Sequence, residues 1–217
     1  MRSDVLHKQD ISDLESLLIR NGKIVPQSAA TLLPFGQNAL SLFCLTHGLY
    51  QLPTTELITF LQKEIGGKAA IEIGAGNGCI GRALRIPMTD NKMQTWPQIA
   101  EYYKSLQQPT VNYGSDVQEM AAIPAVQHYK PKVVIACWVT HLLKPGMTIG
   151  NAHGIDEEMM FGYGVEKYIH VGNKSVHEMK PILKRAKDFD IDVLHPDWLL
   201  SRSVRKDENC IFIIKKP

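Results

Sequence analysis

From Val133 to Val139 the chain is apolar at every position, and Thr140 and His141 follow. A short, continuous, β-branched run of this kind is the pattern of a strand buried on both faces. It predicts a strand over 133–141. Upstream the apolar spacing is helical. Leu14, Leu17 and Leu18 form a stripe behind Ser12-x-x-Glu15, which has the form of a capping box, and Asn21-Gly22 would end that helix. A second helix is expected over 38–47, stopped by Gly48. A third, opened by Pro53-Thr54, places Leu57, Ile58, Leu61 and Ile65 on one face and closes at Gly66-Gly67. Downstream, Trp96-Pro97 opens a helix through Leu106, Pro109 breaks it, Val111 begins a short strand, and a helix starts near Val117. Tyr168 to Val171 reads as a further strand, then Ser175-x-x-Glu178 as a capping box for a helix to about Lys187. Asp192 to Leu194 and Cys210 to Ile214 read as a closing pair of strands. Residues 1–67 are thus a helical extension, and 68–217 one compact α/β unit. The extension serves either as a cap over a cleft or as packing helices.

Composition narrows the picture little. The chain has 217 residues, enough for one such domain with a sizeable core. A net charge of +2, from 24 basic and 22 acidic residues, announces no nucleic-acid or membrane surface. The basic groups around Lys184 and Arg205 read as solvated faces. Met1-Arg2-Ser3-Asp4 opens without a signal-peptide core, and no apolar run is long enough to span a bilayer. Cys44, Cys79, Cys137 and Cys210 are scattered, as in the reduced thiols of a cytoplasmic protein. The segment from Gly146 to Gly164 holds five glycines and could serve as a lid; its run Asp156-Glu157-Glu158 reads as solvated rather than metal-binding.

Candidate chemistry concentrates in Ala-Ile-Glu-Ile-Gly-Ala-Gly-Asn-Gly-Cys-Ile-Gly, residues 70–81. Apolar residues lead into a glycine turn and then a helix start. Such a turn lets a nucleotide-like ligand approach bare backbone. A strand position just before the turn is normally apolar, and Glu72 there is costly unless a positive charge compensates it. Gly76-x-Gly78-x-x-Gly81 also fits a dinucleotide fingerprint. A tight turn with no ligand is the remaining alternative.

The stretch Glu72-Ile73-Gly74-Ala75-Gly76-Asn77-Gly78 resembles the first motif of the class I, Rossmann-like S-adenosyl-L-methionine (SAM)-dependent methyltransferases. The resemblance runs from about Lys68 to the C-terminus. It implies a seven-stranded, mostly parallel sheet with an antiparallel C-terminal strand, and SAM as cofactor. It implies that Glu72, Gly74, Ala75, Gly76, Asn77 and Gly78 hold SAM and that Asp90, ending the second strand, takes the ribose hydroxyls. Asp116 and Val117 would hold the adenine; otherwise Asp116 caps a helix. The run 133–141 would be the fourth strand, with Trp138 positioning the acceptor and His141 a general base or a strand cap. No Asp/Asn-Pro-Pro-aromatic motif is present, and Cys137 follows Ala136 rather than proline. A small-molecule or protein acceptor is therefore expected, with nucleic acid not indicated. An NAD(P)-dependent oxidoreductase and a non-catalytic SAM-binding protein stay open.

Overall fold

The computed structural model describes residues 10–217; the reading of Met1 to Asp4 lies outside them. Seven strands form one sheet: β1 Ala70–Ile73, β2 Met88–Asp90, β3 Gln118–Glu119, β4 Val133–Cys137, β5 Lys167–Asn173, β6 Asp190–Leu194 and β7 Asn209–Lys215. Their spatial order is β3-β2-β1-β4-β5-β7-β6. Neighbours from β3 to β5 pair parallel, and β7 inserts antiparallel to both β5 and β6. The fold is a Rossmann-like α/β sheet of the expected kind.

Alternation along the strands divides the core into two layers. Val133 and Ile135 of β4, Ile169 and Val171 of β5, and Ile211 and Ile213 of β7 face one layer. Val134, Ala136, Tyr168, Phe212 and Ile214 face the other. A central strand with both faces covered is apolar throughout because each successive side chain enters a different layer. The first layer is completed by α1 Ser12–Leu18, α2 Ala29–Leu32, α3 Gly36–Thr46, α4 Thr55–Ile65 and α5 Cys79–Leu84. The helices of the N-terminal extension thus share a hydrophobic core with the sheet. On the opposite face α7 Ala122–Tyr129 and α8 Glu157–Gly162 bring Ala125, Val126, Met160 and Phe161. Between β2 and β3 lies α6 Pro97–Ser105.

Several local readings are corrected. Asn21 and Gly22, at φ 50° and 70°, form the turn of a hairpin between Ile19–Arg20 and Lys23–Ile24. Two consecutive left-handed residues match the right-handed twist of a hairpin. Ser12 lies within α1 and makes no capping bond; its N–H donates to Asp10 Oδ1 instead (2.9 Å). The helix read to Lys187 is a single turn, α9 Lys174–His177, because Pro181 restarts the chain as a 3₁₀ turn. The third strand is β3, not the neighbourhood of Val111, and the following helix starts at Ala122 rather than Val117.

Candidate functional site

The loop after β1 is built on left-handed glycines. Gly74, Gly76 and Gly78 have φ of 58°, 54° and 76°. A Cβ at Gly74 would come within 2.5 Å of Val139 Cγ2, so both conformation and packing demand glycine there. Ala75 N–H donates to the Thr89 carbonyl (3.0 Å), and Gly76 N–H donates to Asp90 Oδ2 (2.9 Å). The end of β2 therefore clamps the loop. Asp90 Oδ1 also accepts from Lys92 N–H (2.8 Å), a local turn bond. Each carboxylate oxygen keeps a lone pair for a ligand.

Glu72 is 1% exposed. Its Oε2 accepts from Gly81 N–H at 2.7 Å. A Cβ at residue 81 would lie 2.7 Å from that oxygen, which explains the glycine. Burial pushes the Glu72 carboxyl up to about 8; the Gly81 bond opposes this, Asp90 adds to it, and Arg82 and Cys137 relieve it in part. Arg82 gives little because its fork is closed on Asp116, with Nε–Oδ2 and Nη2–Oδ1 both at 2.7 Å. Among the described residues no cation forms a salt bridge with Glu72.

A cavity of about 500 Å³ opens at the C-terminal ends of β1 to β4, the position where open α/β sheets bind ligands. Glu72, Gly74, Ala75, Gly76, Asn77 and Asp90 line it, as does Trp138. Gly78 does not; its place is at the start of α5, where a Cβ would meet Val117 Cγ2 at 2.7 Å.

Two expectations are corrected here. Asp116 and Val117 lie off the cavity. Asp116 is held below the usual carboxylate range, first by its hydrogen bonds to Arg82 and also by Lys23 (3.3 Å), and so serves as a strut between the glycine-loop helix and the N-terminal hairpin. Val117 is buried against Gly78. Because β3 is Gln118–Glu119, the residues that follow it onto the cavity are Met120 and Ala121. His141 is likewise off the cavity. It is 6% exposed, and its Nε2–H donates to the Ile149 carbonyl (2.9 Å), which fixes the segment 141–155 instead of facing a substrate. The histidine that does line the cavity is His153, set edge-on to Trp96 at 4.8 Å.

Trp138, directly after β4, has φ 60°, a left-handed conformation that is strained for a bulky side chain. The strain is overdetermined. Trp138 N–H donates to the Val171 carbonyl (2.8 Å), its indole Nε1–H donates to Gln51 Oε1 (3.2 Å), and buried Lys180 Nζ donates to the Val139 carbonyl (2.8 Å). The cavity also takes in Tyr50, Gln51, Gln94, Tyr103 and Tyr113, for which the sequence pattern suggested no role, and Arg202, which reads from the sequence as part of a solvated basic face but is half-buried here. Gln94 is tied at both ends of its amide. Its Oε1 accepts from Val111 N–H (2.8 Å) and its Nε2–H donates to Tyr103 Oη (3.3 Å). Only the buried polar glutamine within an irregular stretch could have signalled it. Among the described residues no group of His, Cys, Asp and Glu is arranged to hold a metal ion, and no helix is long and apolar enough to cross a membrane.

No family model matches the sequence, and no curated protein does. Solved structures align with it loosely over most of its length. A Thermoplasma acidophilum protein is 11% identical, covers 83% of this chain and 97% of its own, and gives a TM-score of 0.40. A SAM-dependent O-methyltransferase from Thermotoga maritima is 10% identical, with 82% and 71% covered and a TM-score of 0.44. Magnesium protoporphyrin IX methyltransferase from Synechocystis PCC 6803, solved with bound SAM, is 13% identical, with 75% and 79% covered and a TM-score of 0.38. At such identities the chemistry of the site has to be read from its own residues.

Proposed function

We propose that the protein is a SAM-dependent methyltransferase acting on a small molecule or a protein. The observation that carries this reading is Glu72, a buried carboxyl with no cationic partner among the described residues, on a cavity walled by the glycine loop. A ligand with an ammonium group would supply the missing charge. A cavity of this size suits one nucleoside-sized ligand with room for a second group. NAD carries two phosphates and would set them against a wall that already holds Glu72 and Asp90. That disfavours the oxidoreductase.

When bound, SAM supplies a methyl group already activated by its sulfonium. The protein then has to hold, align and exclude water. Glu72 and the loop 74–77 would hold the amino-acid end, the free lone pairs of Asp90 would accept from the ribose hydroxyls, and Met120 and Ala121 would meet the adenine. Trp138, pinned by Gln51, walls the acceptor side. None of these steps needs a strong base, which suits a site whose expected base, His141, faces away.

Calorimetry of the purified protein against SAM, S-adenosylhomocysteine and NAD tests the reading. SAM or S-adenosylhomocysteine should bind and NAD should not. Tight NAD binding with no SAM signal overturns it. If SAM binds but no small molecule, peptide or RNA is methylated with labelled SAM, a binding-only protein becomes the better account.

A further inference from the structure

The connection between β6 and β7 docks on α3 and the segment that joins it to α4. Leu52 N–H donates to the Leu200 carbonyl (3.0 Å), and Gln51 bridges Ser201. Gln37 Nε2–H reaches the carbonyls of both Ser201 (2.9 Å) and Ser203 (2.7 Å). The backbone on either side of Arg202 is therefore fixed, and Arg202 N–H itself donates to the Tyr50 carbonyl (3.1 Å). The side chain is half-buried at the cavity, with its guanidinium carbon 3.6 Å from the centroid of the Tyr50 ring.

Stacking uses the flat face of a guanidinium and leaves its edge of N–H donors free. Among the described residues, no carboxylate pairs with Arg202 and none of its side-chain donors makes a hydrogen bond. The acidic groups on the cavity are otherwise engaged: Asp156 with Lys144 at 2.8 Å, and Glu72 and Asp90 with backbone N–H groups. A preset, partly desolvated arginine with an open donor edge is built to take a planar anion bidentately. Around it stand aromatic rings, Tyr103 and Trp138 as well as Tyr50, with Trp138 5.9 Å from Tyr50.

We propose that Arg202, with the aromatic wall of Tyr50, Tyr103 and Trp138, is the acceptor subsite and selects a small planar acceptor bearing a carboxylate. The proposal rests on the methyltransferase reading and names its substrate class. Arg202 belongs to the wall contributed by the β6–β7 connection and the N-terminal helices, not to the glycine loop that would carry the cofactor.

The test is calorimetry with two matched probes, 4-hydroxybenzoate and 4-hydroxybenzamide, titrated into the full-length protein with and without saturating S-adenosylhomocysteine. Wild type should bind the carboxylate at least tenfold more tightly than the amide, the scale of one charge-assisted hydrogen-bond pair. Arg202→Gln should remove that preference while binding the amide as before. Arg202→Lys, which keeps the charge but loses the fork and the stack, should fall between. Equal binding of both probes by wild type, or no detectable carboxylate binding, overturns the proposal without any variant having to fold. So does an Arg202→Gln protein that keeps the preference, or one that instead loses about tenfold in S-adenosylhomocysteine affinity with the preference intact, since Arg202 would then hold the cofactor's own carboxylate. Failure of S-adenosylhomocysteine to bind wild type removes the methyltransferase reading alone; the probe preference without it still decides Arg202.

Discussion

Asp90 and His141 show how differently two polar residues can use burial. Asp90 keeps its carboxylate on the cavity while bracing the loop through Gly76 and Lys92. Burial raises its pKa, against those two hydrogen bonds and the Lys92 charge. His141 turns its ring into the protein to hold Ile149. The two therefore separate in mutants. Asp90→Ala should weaken S-adenosylhomocysteine binding by roughly 1–3 kcal/mol, the range for losing a charged acceptor, and destabilise the fold as well. His141→Ala should destabilise by about 1–3 kcal/mol through the orphaned carbonyl and the lost packing, with binding per folded molecule nearly unchanged. Denaturant midpoints and calorimetry on both proteins check this. Loss of binding by His141→Ala in a folded protein would return that histidine to the site.

Elements with strong local signals were legible, and those made by distant partners were not. Thr54 caps α4, its hydroxyl accepting from Leu57 N–H (3.2 Å), and left-handed Gly66 closes it. Both signals lie within the helix's own sequence. By contrast, β3 is a two-residue exposed edge strand with no apolar pattern to announce it, whereas Val111, whose apolar β-branched side chain after Pro109 reads as a strand start, instead lines the cavity. The same distance effect hides Glu157. It was expected to be solvated, yet it is buried at the start of α8, where Lys180, also fully buried, reaches it at 2.5 Å from beyond α9. The pair couples α8 to the strained end of β4, because the same ammonium holds the Val139 carbonyl. Removing one charge strands the other. Lys180→Met should lower stability by about 3–5 kcal/mol, and adding Glu157→Leu should recover most of it. If the double variant is as unstable as the single one, the Val139 bond rather than the ion pair is what matters.

At the scale of the whole molecule, Glu72 sets folding and ligand binding against each other. Its folded pKa, raised by burial from an ordinary 4.5 to about 8, means that the native state holds a proton the unfolded chain has released. For an acid shifted upward, that contribution to stability is full below the unfolded pKa and declines as pH rises toward about 8. The Glu72 share of stability should therefore shrink between pH 5 and pH 8, opposed up to about pH 6.5 by buried His170 and His177, whose depressed pKa values favour folding as pH rises; the stability difference between wild type and Glu72→Gln, read by thermal or denaturant unfolding, should fall across that range. A cationic ligand reverses the preference. SAM bound with its ammonium at Glu72 favours the carboxylate, so binding near pH 7 should release a proton from the protein, and affinity should rise with pH up to about 8. Calorimetry of SAM binding in two buffers of different ionisation enthalpy reads the released proton directly. Glu72→Gln should abolish both the release and the pH dependence, whereas a probe without the amino-acid end, methylthioadenosine, should release none even in the wild type. Binding of SAM without proton release, or the same release from Glu72→Gln, would mean that Glu72 keeps its proton and serves Gly81 alone, with the cofactor's charge met elsewhere on the cavity.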